Sequence, residues 1–278
     1  MDTPNKIRSS ARLASLGDHL RHWRRLRRLS QLELASEADM STRHLSCVET
    51  GRANASRELV IRLCDRLNVP LRERNRWLTS AGYAPMYKSL SLDDPSMQAA
   101  RKAVQHLLDR HEPWPAVAFD RHWNMVLSNR MAQAFLTGID PSLLDGPLNL
   151  LRISLHPKGL APRILNLDQW REHLFERLRL QIQATGDDGL AALLSELQAY
   201  PGSPEPAPPA LEGEHPGVLM PFLLRTEAGL LHLISTTTVF GSPTDITLQE
   251  LALETFFPGD DASSTMLQAM AASLPAMP

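Results

Sequence analysis

The sequence predicts an all-α N-terminal domain of five helices, here called the head (residues 16–83), and an α+β C-terminal domain, called the body (residues 97–260). The chain has 278 residues, about twice a common domain length. Residues 1–82 carry 16 Lys and Arg against 9 Asp and Glu, whereas residues 83–278 carry 13 against 22. Helical periodicity prevails in the head, while helical patterns alternate with short apolar strand-like runs in the body.

The composition excludes several classes of protein. Apolar stretches fall far short of the roughly 20 residues that span a bilayer, so we expect no membrane contact. The mixed, charged N-terminus lacks the apolar segment of a signal peptide. Cys47 and Cys64 are the two cysteines, too few for a disulfide framework, and we therefore predict a cytoplasmic protein. A basic head joined to an acidic body is typical of a nucleic-acid-binding domain attached to a domain of another kind.

The first two helices of the head are read from spacing and capping. Leucines and a tryptophan recur every three or four residues from Leu16 to Leu26, which predicts an amphipathic helix. Ser30 followed by Glu33 is a capping-box pattern, so a second helix begins at Gln31. Its predicted inner face comprises Leu32, Leu34, Ala35 and Ala38.

Three more helices complete the head. Ser41 is placed to cap a third helix over residues 42–50, and Gly51 follows where a helix ends in the left-handed conformation. Ser56 caps a fourth helix through Leu67, and Pro70 opens a fifth that ends near Gly82. Two short helices joined by a brief connection, with small Ala35 where they approach, form the helix-turn-helix pattern.

Three sequence elements together carry a family resemblance. They are Leu-x-x-x-Arg at residues 20–24, Ser-Gln-x-x-Leu-Ala at 30–35 and Glu-x-Gly-Arg at 49–52. With these, the head resembles the phage-repressor (Xre-like) helix-turn-helix. The resemblance implies that the third helix enters the major groove of double-stranded DNA and that Arg24 and Glu49 form a buried scaffolding salt bridge.

The resemblance also assigns candidate DNA contacts. Arg43 is the strongest, since its guanidinium can bridge O6 and N7 of guanine. Gln31 is expected to hold a phosphate, and His44 and Arg52 are further backbone candidates. The remaining positions that look toward bases are Thr42, Ser46 and Cys47. For any single arginine, the alternative to a DNA contact is a solvated helix face. For the two cysteines, the alternatives to a redox-sensing role are a small core residue at Cys64 and a groove-facing side chain at Cys47.

Outside the head, composition and periodicity divide the chain further. Residues 1–15 are predicted as a flexible arm, 84–96 as a linker, the proline-rich 201–216 as a loop and 261–278 as a weakly ordered tail. Predicted helices cover 97–111, 129–136, 168–184 and 190–199, and predicted strands cover 116–119, 123–127, 218–224 and 230–238. The order strand, polar turn, strand, Asn129, helix is similar to the opening of a PAS-like fold.

The linker and the body carry a second resemblance. Residues 70–97 (PLRERNRWLTSAGYAPMYKSLSLDDPSM), residues 113–136 and the segment LNLLRISLHPKGL resemble the regulator family named for the methylenomycin regulator MmyB. That resemblance implies a helix-turn-helix followed by a PAS-like sensor with an apolar cavity for a small, fatty-acid-like ligand. Candidate lining residues are Trp123, Met125, Leu127, Phe135 and Leu219, although ordinary core packing is the more common role of such side chains.

Taken together, the sequence predicts a sequence-specific DNA-binding regulator, a repressor by default, whose body binds an apolar ligand. A homodimer on a palindromic operator is expected, because one head covers too little DNA for regulatory affinity. The alternative is a repressor whose body binds a protein, as an antitoxin would. We predict no enzyme, no cofactor and no metal site, since His156, His173 and His232 lack ligand spacing and no nucleophile or phosphate motif is present.

Overall fold

A computed structural model of the chain describes residues 15–203, 220–241 and 245–275. The chain divides into two compact units, Met1–Ser89 and Leu90–Pro278, so the division falls within the predicted linker 84–96. The first part of this linker is held to the head, because the backbone N–H groups of Met86 and Tyr87 donate hydrogen bonds to Asn75 Oδ1. Most of the predicted arm, most of the proline-rich loop and candidate residue Leu219 lie outside the described residues.

The head consists of five helices, as predicted. They are α1 (Leu16–Leu26), α2 (Gln31–Glu37), α3 (Thr42–Glu49), α4 (Arg57–Arg66) and α5 (Leu71–Ser80). Ser30 and Glu33 form the predicted capping box, and Ser41 and Ser56 cap α3 and α4 through their hydroxyls. Each of these caps satisfies a backbone N–H that the helix itself leaves without a partner.

The predicted inner face of α2 is wrong at one residue. Leu34, Ala35 and Ala38 are buried, whereas 69% of Leu32 is exposed. Both residues lie within α2, and Leu32 comes two positions before Leu34. This spacing places the Leu32 side chain about 200° around the helix from that of Leu34. The capping box fixed the start of α2 correctly, and the helical period then excludes Leu32 from the core.

Helices α1 and α3 approach each other closely at Gly17. A Cβ atom built on Gly17 would lie 2.2 Å from the carbonyl oxygen of Glu49. No side chain fits that distance, so Gly17 is what allows the two helices to touch. The sequence analysis placed a close approach of α2 and α3 at Ala35, which is buried, and it did not single out Gly17.

The body has an antiparallel five-stranded sheet in the order β2-β1-β5-β4-β3. Its strands are β1 (Ala116–Phe119), β2 (Met125–Ser128), β3 (Pro221–Thr226), β4 (Gly229–Val239) and β5 (Ala252–Pro258). Its helices are α6 (Gln98–Arg110), α7 (Arg130–Ala134), α8 (Leu150–Leu155), α9 (Leu167–Thr185), α10 (Asp188–Gln198), α11 (Ile246–Gln249) and α12 (Asp261–Ser273). This is the predicted α+β, PAS-like fold, with β5 at the centre of the sheet.

Two apolar cores lie within the described part of the body. The larger one joins the sheet to α7–α10 and contains Phe119, Trp170, Leu178 and Phe222. The smaller one joins α6 to Ala118, Leu127 and Leu253. The sheet thus has helices on both faces, and the larger core encloses the candidate ligand site.

The prediction of a weakly ordered tail over residues 261–278 is wrong for residues 261–273. Residues 261–273 form α12, in which Leu267 is fully buried and belongs to the larger core. Asp260 caps the helix, and the Ser263 hydroxyl accepts the backbone N–H of His232 on β4 at 2.8 Å. The spacing of Met266, Leu267 and Met270 is that of one helical face, a signal from which the helix could have been predicted.

Candidate functional site

Helix α3 separates a buried face from an outward face. Leu45, Val48 and Glu49 are buried in the head. Arg43 and His44 are exposed, and Thr42, Ser46 and Cys47 are half-buried. The five candidate DNA contacts on α3 therefore lie on accessible positions, and their contacts with bases stay predictions.

The buried face of α3 is held by one carboxylate. Glu49 is 2% exposed, and its oxygens accept hydrogen bonds from Arg24 Nε at 2.7 Å and Arg24 Nη2 at 3.1 Å. Arg24 Nη1 also donates to the Leu29 carbonyl at 2.9 Å. The predicted scaffolding salt bridge between α1 and α3 is thus present, and it fixes how α3 is presented.

Gln31 takes part in the same network. Its Nε2 atom donates to Glu49 Oε2 at 2.7 Å, which ties the start of α2 to the end of α3. The sequence analysis gave Gln31 a phosphate contact alone, and the structure adds a positioning role. An amide nitrogen carries two hydrogens, so a phosphate contact through the second one stays a prediction.

Arg52 lies just beyond α3. It is exposed, and its Nε donates to the Thr50 hydroxyl at 3.0 Å. Gly51 precedes it with φ +71°, the left-handed conformation predicted for a residue that ends a helix. This turn carries the Arg52 guanidinium past the end of α3, at the position predicted for a DNA backbone contact.

The two cysteines differ in environment. Cys64 is buried in the head core, and this burial raises the pKa of its thiol to about 12. A thiol with that pKa is almost entirely protonated at neutral pH and is a poor nucleophile. Cys64 is therefore a core residue, while Cys47 lies half-buried on α3.

The larger core of the body surrounds a cavity of about 110 Å³. Three of the predicted lining residues, Trp123, Met125 and Phe135, do line it. Other lining side chains come from β1, α7–α9, the segment between α8 and α9, β3 and β5: Val117, Phe119, Ala132, Leu150, Leu151, Ile153, Leu160, Trp170, Leu174, Phe222 and Phe256. Because pockets for drug-sized ligands span about 300–1,000 Å³, a larger ligand requires these walls to move apart.

The prediction that Leu127 lines this cavity is wrong. It packs with α6 in the smaller core, on the other side of the sheet from Met125. Phe119 pairs with Met125 and Ala118 pairs with Leu127, so Val126 is an extra residue in β2. This bulge breaks the alternation that would otherwise place Met125 and Leu127 on one face.

One ion pair at the cavity was missed by the sequence analysis. Arg177 on α9 donates from Nη1 and Nη2 to the two oxygens of Glu254 on β5 at 3.0 and 2.9 Å. Thr237 on β4 donates to the same carboxylate at 2.9 Å and accepts from Arg177 Nη2 at 2.8 Å. In each case the signal in the sequence was a charged residue inside an apolar pattern. Arg177 lies beside Leu174 and Leu178, and Glu254 lies in a segment of mostly apolar residues.

Trp123 links this ion pair to the cavity wall. Its ring stacks on Phe119 at 4.7 Å, and the Arg177 guanidinium lies over it at 4.7 Å. Its Nε1 donates to Gln181 at 2.8 Å, and its φ is +67°, a conformation that bulky residues rarely adopt. Such backbone strain persists only where surrounding contacts hold it, and here those contacts surround a cavity.

The histidines considered for a metal site are dispersed. His156 packs edge-on against Tyr200, His232 lies near Asp260, and burial lowers the pKa of His173. Within residues 15–203, 220–241 and 245–275, no cluster of three potential metal ligands occurs. Over the same ranges, no helix has the length and apolar character needed to cross a membrane.

Comparisons with known proteins match both units. Residues 100–270 match the family described as MmyB-like transcription regulator ligand binding domain, and residues 15–77 match a helix-turn-helix domain family. Among solved structures, the chain is similar to the crystal structure of the clp gene regulator ClgR from Corynebacterium glutamicum. The sequence identity is 26%, the match covers 36% of this chain and 93% of the ClgR chain, and the TM-score is 0.22. No curated protein matches the chain.

Proposed function

The chain belongs to the MmyB-like transcription regulators, and from this premise we propose that it is a cytoplasmic repressor whose operator affinity is set by a small apolar ligand in the body. The ligand would be fatty-acid-like. A ligand changes operator affinity only if it binds two states of the protein with different affinity.

The observation that carries the DNA-binding proposal is the presentation of α3. Glu49, Arg24 and Gln31 fix its inner face, and Arg43 and His44 are exposed on its outer face. The excess of basic residues in residues 1–82 favours binding to a phosphate backbone. Base reading by Arg43 and phosphate contacts by Gln31 and Arg52 follow from this arrangement.

The proposed active form is a homodimer on a palindromic operator. A single head offers one recognition helix, and repressors of this architecture join two half-sites for adequate affinity. The half-sites would be spaced by one turn of DNA, about 34–36 Å, or a multiple of it.

Replacement of Arg43 by alanine tests the base-reading role. We expect affinity for the operator, selected from a random DNA pool, to fall by about 5–150-fold, since a bidentate arginine–guanine pair contributes about 1–3 kcal/mol. Selection repeated with the variant should lose preference at one base of each half-site. Arg25→Ala, which removes the same charge from an exposed position on α1, should keep that preference. Unchanged base preference in Arg43→Ala would refute the role.

Native mass spectrometry of the purified full chain tests the ligand proposal. We expect a bound apolar molecule of lipid size that is released on unfolding, because the cavity is lined almost entirely by apolar side chains. A chain that stays empty in the presence of a lipid extract, and instead binds a second protein through its body, would favour the protein-partner alternative.

A further inference from the structure

The five helices of the head end in the same way. The second residue past each helix has a positive φ and donates its N–H to the carbonyl three residues back, while the next N–H donates to the carbonyl five residues back. This pattern is the Schellman motif. The residues with positive φ are Arg28, Asp39, Gly51, Asn68 and Gly82, at +57°, +52°, +71°, +47° and +84°.

Arg28 is the exception among these five residues. Glycine has no Cβ atom to clash in the left-handed conformation, and the short polar side chains of asparagine and aspartate tolerate it. Arginine has neither advantage, so the head loses stability at Arg28 that a glycine would restore. A residue held in such a conformation points to a use for its side chain.

Contacts within the described residues do not explain why arginine occupies this position. The Arg28 side chain is exposed, and its guanidinium has no hydrogen-bond or ion-pair partner among residues 15–203, 220–241 and 245–275. Arg27 beside it, by contrast, donates from Nε to the Leu67 carbonyl at 2.9 Å. The helix dipole does not require Arg28 either, because Arg24 and Arg25 already place positive charge in the last turn of α1.

Arg28 lies in the turn that leads to the proposed phosphate contact at Gln31. The two residues are three positions apart, so their Cα atoms are separated by roughly 11 Å at most. Between them, the Leu29 carbonyl accepts a hydrogen bond from Arg24 Nη1 at 2.9 Å. This bond ties the turn to the network that positions α3.

The network itself supplies no net positive charge to a phosphate at Gln31. Gln31 is uncharged, and the charge of Arg24 is matched by Glu49, which accepts from Arg24 Nε and Nη2 at 2.7 and 3.1 Å. The Arg28 guanidinium keeps its donors open for a ligand. Arginine binds phosphate oxygens through charge-assisted hydrogen bonds, which are stronger than neutral ones.

We propose that Arg28 binds the DNA backbone phosphate that Gln31 also contacts, and that the head is less stable than it would be with glycine because this cation is needed there. This inference rests on the proposed DNA-binding function. It distinguishes Arg28 from a solvated arginine, whose replacement by glycine in this conformation would have no effect on DNA.

Replacement of Arg28 by glycine in the full-length protein should move stability and DNA affinity in opposite directions. The amides of α1 and α4 that exchange their hydrogen only when the head unfolds should exchange about fivefold more slowly. Affinity for the selected operator should fall about tenfold. The plot of log affinity against log salt concentration should become shallower by about 0.9 for each bound head, and base preference should stay unchanged.

Three further variants separate the backbone effect from the charge effect. Arg28→Lys keeps the cation and should keep the salt dependence of the natural chain. Asn68→Gly changes the same backbone position at the end of α4 and should leave DNA binding unchanged. Arg66→Gln removes an exposed positive charge from the last turn of α4 and should change the salt dependence much less than Arg28→Gly does.

Slower exchange together with a shallower salt dependence in Arg28→Gly, and a normal one in Arg28→Lys, supports the proposal. Exchange that is not slowed in Arg28→Gly, a salt dependence that stays the same, or an equal change in Arg66→Gln overturns it. If the natural chain selects no DNA sequence from a random pool, the proposed DNA-binding function itself fails, and that result is distinct from an Arg28 variant that binds as the natural chain does.

Discussion

Replacing Glu49 by alanine is expected to lower the free energy of unfolding of the head by about 3–5 kcal/mol and to abolish operator binding. The substitution removes the acceptor of Arg24 and of Gln31 at once, and leaves the Arg24 guanidinium unpaired between α1 and α3. Domains of this size have a total stability of roughly 5 kcal/mol, so at the upper end of this loss about half of the heads would be unfolded.

Chemical denaturation followed by circular dichroism, together with a DNA-binding titration, measures both effects. The matched control is Glu37→Ala, the same truncation at an exposed position on α2, which should change stability by no more than about 0.5 kcal/mol. If Glu49→Ala kept the operator affinity of the natural chain, the network would not be what positions α3.

Replacing Arg177 by methionine should destabilise the body by a similar amount, about 3–5 kcal/mol. The variant leaves the buried Glu254 carboxylate with a single hydroxyl partner, Thr237, and removes the cation that covers Trp123. It also removes a tie between α9 and the two strands β4 and β5 that bound the cavity.

Calorimetric unfolding of the full chain measures this loss, and a second ion pair provides the control. Arg152 also donates two hydrogen bonds to Glu196, from Nε and Nη2, but the two side chains are 43% and 38% exposed. Arg152→Met should therefore cost about 0–1 kcal/mol. Equal losses in both variants would show that burial of the Arg177–Glu254 pair does not increase the cost of breaking it. The double variant Arg177→Met/Glu254→Leu should regain much of the stability, because it leaves no charge unpaired.

The head could be predicted almost completely because its signals are local. Ser30 with Glu33, Ser41 and Ser56 each cap a helix within three residues, and Gly51 ends one. Such short-range hydrogen bonds depend on the neighbouring sequence alone. The error at Leu32 arose because an apolar residue inside a helix was assigned to the core without testing its angular position.

The body was less predictable because its decisive features depend on pairing between distant residues. The bulge at Val126 exists only in the register of β2 against β1, and it moved Leu127 out of the cavity. Arg177 and Glu254 are 77 residues apart, and nothing in either local pattern identifies the partner. Both residues became visible as a site once the sheet brought α9 against β5.

The burial of α12 decides where the body can be cut. A fragment that stopped at residue 260, the end suggested by periodicity, would lack Leu267 and the Ser263 hydroxyl that β4 uses. Biochemists who wish to isolate the body should therefore retain residues through Ser273, or they will study a sheet with an uncovered apolar surface.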